Sequence, residues 1–214
     1  MTSFLLADRP ALQADGGDDS SGEPAQLRMQ FARDPHGRTF LRGQHASYPF
    51  HICRALYHDT APSGLATLYI QSCSGGLFEN DRLIFEIDAA AGARAHVTTQ
   101  ASTVVHSMTS GSAVQLTRIR AAPGAYLEYL PDPQILFPQS SLASKIHIRL
   151  EGNAVVLVCD SFLMHDPSGA NATFTTFLSE TEIVGSDGKC LTVDRTRFEG
   201  NAIRARYPGI MGAF

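Results

Sequence analysis

From Leu27 onward, the apolar side chains recur mainly with a period of two. Leu83, Phe85 and Ile87 alternate with Ile84, Glu86 and Asp88, and Val114 and Leu116 alternate with Gln115 and Thr117. Over residues 145–150 the separation is cleaner: Ile146, Ile148 and Leu150 point one way, Lys145, His147 and Arg149 the other. Successive side chains of an extended strand leave opposite faces, so each segment predicts a strand with one core face. Residues 154–158 are continuously apolar, which predicts a strand covered on both faces. Residues 65–71 predict another strand. Residues 173–184, rich in Thr and Phe, predict one long strand or two short ones. No segment of comparable length shows helical spacing between caps.

Three junctions share one form, a strand followed by a glycine turn and another strand: Gly92-Ala93, Gly124-Ala125 and Gly152-Asn153. The second lies 32 residues after the first, and the third 28 after the second. Glycine suits a backbone that turns with positive φ. Such a loose repeat fits regular hairpins in a two-layer sheet, and it equally fits a coiled, β-helix-like stacking. The expected fold is mainly β, a two-layer sheet or β-helix-like stacking of antiparallel and mixed strands, with little helix. Residues 14–24 carry no large apolar side chain and cannot offset their ordering entropy. Residues 1–26 are therefore expected to form a mobile tail and residues 27–214 a single domain.

Composition narrows the functional classes. Apolar residues make up 43% of the 214, enough for a sizeable core, and the formal charge is −4. No bulk attraction to nucleic acid or anionic membrane follows from that charge. The chain holds no run of about 18 apolar residues, and its N-terminal apolar stretch is too short for a secretory signal. A cytoplasmic protein is expected, with Cys53, Cys73, Cys159 and Cys190 reduced. The sequon Asn171-Ala172-Thr173 would matter only in a secreted chain.

Local motifs for chemistry are missing. No two of the eight histidines lie closer than six residues and no two cysteines closer than 20, so short zinc-ligand spacings are absent. There is no Gly-x-Gly-x-x-Gly, no Walker A loop and no Gly-x-Ser-x-Gly elbow. Cys73, inside Ser72-Cys73-Ser74-Gly75-Gly76, would be a nucleophile if His51, His58 or His96 folded back onto it; a tight turn after a strand is the plainer account. His165-Asp166-Pro167 likewise suits a turn. Gln100, Gln115, Glu128 and Asp160 differ from these, since each sits at or beside an otherwise apolar strand. Solvated strand faces would account for them. The sharper alternative is a set of oxygen donors lining an internal passage for a hard or borderline cation.

An ordered series of motifs resembles the urease accessory proteins of the UreD (UreH) family. Gly75-Gly76-Leu77 followed by Asp81-Arg82-Leu83 is similar to that family's Gly-Gly-(Leu/Met)-x-x-Gly-Asp-x-Leu. Thr98-Thr99-Gln100-Ala101 is similar to its Thr-Thr-Gln-Ala. Leu127-Glu128-Tyr129-Leu130-Pro131 with Ile135-Leu136-Phe137 is similar to its Leu-Glu-(Trp/Tyr)-Leu-Pro…Ile-x-Phe. Glu79-Asn80 replaces the usual glycine before the Asp. Residues 163–169 replace a Gly-Arg-x-x-x-Gly-Glu element. Family members generally run on past the position of Phe214, so a missing C-terminal strand or helix is expected. The resemblance implies a non-catalytic scaffold, with no permanently bound cofactor, that helps insert nickel into apo-urease together with UreF and UreG. It also implies that nickel in transit crosses an internal tunnel, for which Gln100, Gln115, Glu128 and Asp160 are the candidates here. Two other functions stand beside it: a small hydrolase built on Cys73, and a stand-alone metal-binding β protein.

Overall fold

The structure is a computed structural model that describes residues 24–58 and 62–205. The expected tail falls outside the described residues except for residues 24–26, and so does the chain after 205. In chain order the strands are β1 (Leu27–Arg33), β2 (Thr39–Ala46), β3 (Phe50–Ile52), β4 (Ala66–Ser72), β5 (Arg82–Ala89), β6 (Arg94–Thr99), β7 (Thr103–Val105) and β8 (Ala113–Ala121). They continue with β9 (Tyr126–Tyr129), β10 (Gln134–Leu136), β11 (Ser141–Leu150), β12 (Val155–Val158), β13 (Phe162–Met164), β14 (Thr176–Val184) and β15 (Cys190–Glu199), before one short helix, α1 (Gly200–Arg204).

These strands coil. Sheet A has the order β15-β14-β11-β8-β5-β1-β2, sheet B the order β12-β9-β6-β4-β3, and sheet C the order β13-β10-β7. The chain visits A, B and C in turn: β5-β6-β7, then β8-β9-β10, then β11-β12-β13. Each strand pairs in parallel with its counterpart one turn away. Among the described strands, antiparallel pairing is confined to β1–β2, β3–β4 and β14–β15, beside one isolated antiparallel bridge between Leu56 and Thr67. Of the two arrangements compatible with the sequence, the β-helix-like stacking is therefore the one formed. Arg82 faces Val114 and Leu142 faces Ala113, which is the origin of the loose repeat near 30 residues.

The glycine junctions are the corners between sheets A and B. Gly92, Gly124 and Gly152 have φ of +67, +72 and +58°, and a Cβ on Gly124 would lie 3.8 Å from the Gly92 Cα. A left-handed turn with no side chain lets successive corners stack directly. These corners, residues 90–93, 122–125 and 151–154, have one length, whereas the corners from sheet C back to A, residues 106–112, 137–140 and 165–175, do not.

Parallel register turns the interior into columns of side chains. Met29, Ile87, Ile119 and Ile148 form one buried column across sheet A. Ile146 and Ile148 face inward and Leu150 packs partly against the same core, as the alternation predicted. The neighbouring column changes character: Leu83 aligns with Gln115, Ser144 and Ser179. On β8 it is thus Gln115 and Thr117 that face inward, while Val114 lies on the outer face. Residues 154–158 differ from expectation as well. β12 is an edge strand, and Val155 and Leu157 are 48% and 41% exposed because none of the described strands or loops covers their side of sheet B. The upper end is closed by Phe162 packed on Phe174, Phe177 and Phe198, with ring centroids 4.9–5.6 Å apart.

Candidate functional site

The motif residues converge on one side of the coil. Gly75-Gly76-Leu77 runs beside β7, where the Leu77 amide donates to the Val104 carbonyl at 2.8 Å and the His106 amide donates to Leu77 at 2.9 Å. Gly76 has φ +135°, and a Cβ there would stand 2.2 Å from the Val104 oxygen, so only glycine allows this approach. The Asp81 carboxylate accepts from the Phe78 amide at 2.7 Å and closes the turn that follows. Asn80, at the place of the family's glycine, takes φ +68°, a left-handed conformation that Asn tolerates. The turn therefore forms without the glycine. Glu79 accepts from the amides of Thr109, Ser110 and Gly111, and these bonds hold its carboxyl at about 2.

Thr98 and Thr99 fasten the next turn of the coil. The Thr98 hydroxyl donates to the Leu130 carbonyl at 2.7 Å, and Thr99 Oγ1 accepts from the Asp132 amide at 2.9 Å. The segment around Pro131 is thereby fixed against the end of β6. Phe137 stands in a column of rings, 5.7 Å from His106 and 5.6 Å from His165, with Phe78 stacked on His106 at 4.5 Å.

Between these elements lies a cavity of about 490 Å³, lined among others by Gln100, Gln115, Gln134, Thr99, Thr103 and Tyr129. Its size is that of a small-molecule site, but its polar lining is chiefly amide and hydroxyl. A second void of about 10 Å³ lies directly behind and shares Gln115, Tyr129, Pro131 and Gln134 as a common wall. Its far side carries Ser144, Cys159 and Asp160. Ser179 Oγ donates to Asp160 Oδ2 at 2.7 Å, and burial raises the Asp160 carboxyl above its ordinary value. Tyr129 is wholly buried, its hydroxyl is 3.4 Å from Thr117 Oγ1, and desolvation pushes it up to about 12.

Three of the four candidates thus share one region: Gln100 and Gln115 line the cavity, and Asp160 lines the void behind it. Glu128 does not join them. On β9 the inward positions belong to Leu127 and Tyr129, so Glu128 leaves the outer face of sheet B. There its Oε2 is 2.7 Å from His96 Nδ1, and its Oε1 accepts from the Tyr126 hydroxyl at 2.5 Å. Sequence reasoning missed Gln134 and Ser144, both buried. Gln134 Oε1 has no hydrogen-bond partner among the described residues. The signal for Ser144 was its alignment with Gln115 one turn away; Gln134, next to Pro133, interrupted no visible alternation.

Cys73 is exposed and its Sγ donates to the Pro49 carbonyl at 3.2 Å, so its bond goes to backbone and not to a histidine. Among the described residues, no three His, Cys, Asp or Glu side chains are grouped to hold a metal ion, and no helix is long and apolar enough to cross a membrane.

Comparison with known proteins places the sequence in a family. The sequence model of the UreD urease accessory protein family matches residues 23–214. The chain is 38% identical over 196 residues to urease accessory protein UreD 1 of Pseudomonas syringae pv. syringae (strain B728a), covering 90% of this chain and 69% of that protein. It is 42% identical over 201 residues to UreD 1 of Methylorubrum extorquens (strain PA1), covering 94% and 67%. It is 34% identical over 206 residues to UreD 3 of Bradyrhizobium sp. (strain ORS 278), covering 96% and 71%. The chain spans about two thirds of the length of the curated relatives it matches. By family model and by these relatives alike, the chain belongs to the UreD family of urease accessory proteins.

Proposed function

We propose that this protein is a non-catalytic scaffold in urease maturation, working in the cytoplasm with UreF, UreG and apo-urease, and that nickel in transit crosses its interior. The observation that carries the reading is the polar opening in an otherwise apolar coil. The cavity presents Gln100 and Gln115, and a wall one side chain deep separates it from Asp160. Gln100 stands at the exposed mouth, whereas Gln115 is buried, and burying an amide or a carboxylate is costly unless it is hydrogen-bonded or used. Neutral oxygens with a few dispersed acids, Asp81 on the cavity and Asp132 and Asp160 on the void, suit an ion that must be attracted and then released, whereas a tight cluster of acids would retain it.

The outer surface supports the scaffold half of the reading. Leu163 is 54% exposed, in a row with Ile135 beside it and Val104 one strand further on the outer side of sheet C, and Val155 and Leu157 are open on sheet B. Exposed apolar side chains grouped in this way mark partner surfaces. The test is co-expression of apo-urease with its accessory proteins, with and without this chain, followed by metal analysis of the purified urease. Nickel content is expected to collapse when the chain is left out. Urease that fills with nickel without it would end the proposal.

A further inference from the structure

We propose that the lower end of the coil, where the edge strands β2 and β3 close sheets A and B, is a docking surface for an acidic segment of a partner protein, gripped by Arg38, Arg42 and Arg54. This surface lies away from the open faces of sheets B and C and takes no part in the passage of an ion.

Charge is sorted along the coil. Residues 24–65 hold five arginines against Asp34 and Asp59, whereas residues 126–205 hold ten acids against six bases. A net charge of −4 for the whole chain hides this polarity. The arginines at the two levels are also used differently. In the centre of sheet A they are matched: Arg28 and Arg118 lie against Glu86, and Arg120 against Asp88 and Glu151. At the lower end, the guanidinium groups of Arg38, Arg42 and Arg54 are exposed and have no carboxylate partner among the described residues. Charge of either sign would blunt a sheet edge; three unmatched charges of one sign go beyond that need.

Their placement is built by the fold. Tyr57 ties the two edges together, because its hydroxyl donates to the Thr39 carbonyl at 2.8 Å, and its ring carries the Arg38 guanidinium 3.6 Å from the centroid. A guanidinium laid on a ring keeps its N–H fork pointing outward in the ring plane's surroundings and loses little freedom on binding. Arg42 is the extra residue of a β-bulge, since Leu41 faces Phe31 and Gly43 faces Gln30. The bulge re-aims the Arg42 side chain and interrupts the free edge of β2, so a partner meets side chains there and does not add a strand.

The chemistry of the surface selects the partner. The planar arginine fork matches a carboxylate with two parallel hydrogen bonds. Phe40 and Tyr57, both exposed at the same end, add the aromatic contact typical of protein interfaces. A long nucleic acid carries phosphates at every step and would run on towards the acid-rich upper turns, which repel it. A short acidic segment meets the arginines alone.

The experiment is fluorescence anisotropy of a short labelled oligo-glutamate peptide titrated with the full chain at low salt, beside a labelled single-stranded oligonucleotide of the same length. Wild type is expected to bind the peptide more tightly than the oligonucleotide, and to release it as salt rises. The double variant Arg42→Glu with Arg54→Glu should weaken peptide binding by about tenfold or more, because two attractions become repulsions. Arg195→Glu with Arg197→Glu, on β15 at the other end, makes the same change in net charge and should leave the affinity unchanged. Gln44→Arg, at an exposed position of β2, should tighten binding by about two- to fivefold, the worth of one added exposed ion pair; this gain cannot come from a misfolded variant. No peptide binding by wild type would overturn the proposal, and so would an equal loss in both double variants, which would mean that net charge alone acts. An oligonucleotide bound as tightly as the peptide, and lost in the Arg42 and Arg54 variant, would make the lower end a nucleic-acid surface and overturn the acidic partner. The assay contains no urease component, so its failure leaves the scaffold role standing.

Discussion

The outer face of sheet A and the outer faces of sheets B and C are built from the same coil, yet they solve different problems. On sheet A, charges of alternating sign run across neighbouring strands. Arg28 and Arg118 flank Glu86, Arg120 lies between Asp88 and Glu151, and Lys145 and Arg195 flank Glu180. Exposed pairs of this kind add little stability individually, but they keep the centre of a broad, mainly parallel sheet solvated. Sheets B and C carry Tyr69, Val155, Leu157 and Leu163 in the open, and their edge strands β12 and β13 contain no charged residue. Sheet A exposes Phe40, Leu191 and Val193 as well, but only on its two edge strands, and its centre is charged; sheets B and C leave apolar side chains open with little charge around them.

The sharpest way to probe this contrast begins with what both sides share. Leu127 is fully buried beneath sheet B, and Leu127→Ala should destabilise the coil by about 2–5 kcal/mol, measured by urea unfolding. A loss below about 0.5 kcal/mol, the range of surface positions, would show that the two sides do not rest on a common core. Next in size is the partner effect. Leu163→Asp should leave stability within about 0.5 kcal/mol while abolishing co-purification with the urease accessory proteins. Glu180→Lys on sheet A should leave that co-purification intact; if it is as damaging as Leu163→Asp, the contrast between faces collapses.

Smaller still is the ladder itself. A double-mutant cycle on Arg120 and Glu151 should give a coupling of about 0.2–1 kcal/mol that fades at high salt. The smallest effect is local. Glu79 titrates near 2 because three backbone amides hold its ionised form. The stability this lends is complete above the ordinary carboxylate value of 4.5 and is lost as pH falls toward 2. Hydrogen-exchange protection factors at Thr109, Ser110 and Gly111, taken relative to the intrinsic rate at each pH, should therefore stay high at pH 4.5 and fall towards pH 2, and in Glu79→Gln they should be low throughout.

Much of the fold was legible because alternation reports which side chains share a face, and residues 82–89 and 145–150 bear this out. Alternation does not report direction: a strand looks the same whether its neighbour runs parallel or antiparallel. Only the spacing of Gly92, Gly124 and Gly152 carried that information, and it fitted hairpins as well as coils. The site was partly legible for a related reason. Gln115 and Asp160 stood out as polar groups where apolar ones were due, and both are part of the interior. Glu128 stood out too, but parity places it outside once Leu127 and Tyr129 are taken as the inward pair. Gln134 gave no such warning, because its importance arises from register with Thr103 and Phe162 on other turns.

The unequal corners of the coil carry a practical consequence. The A-to-B corners stack closely at fixed length, Gly124 on Gly92 and Gly152 on Pro123, so one added residue there would slip every later strand and turn its inner side chains outward. The corners from C to A already range in length from residues 137–140 to residues 165–175 without disturbing the columns they connect. Gly169, at the exposed bend of the longest, has no neighbour within 4 Å of where a Cβ would stand. A peptide tag or fluorophore inserted beside it would ride outside the stack, and this is the point at which the protein can be labelled during assembly with its partners while its register stays intact.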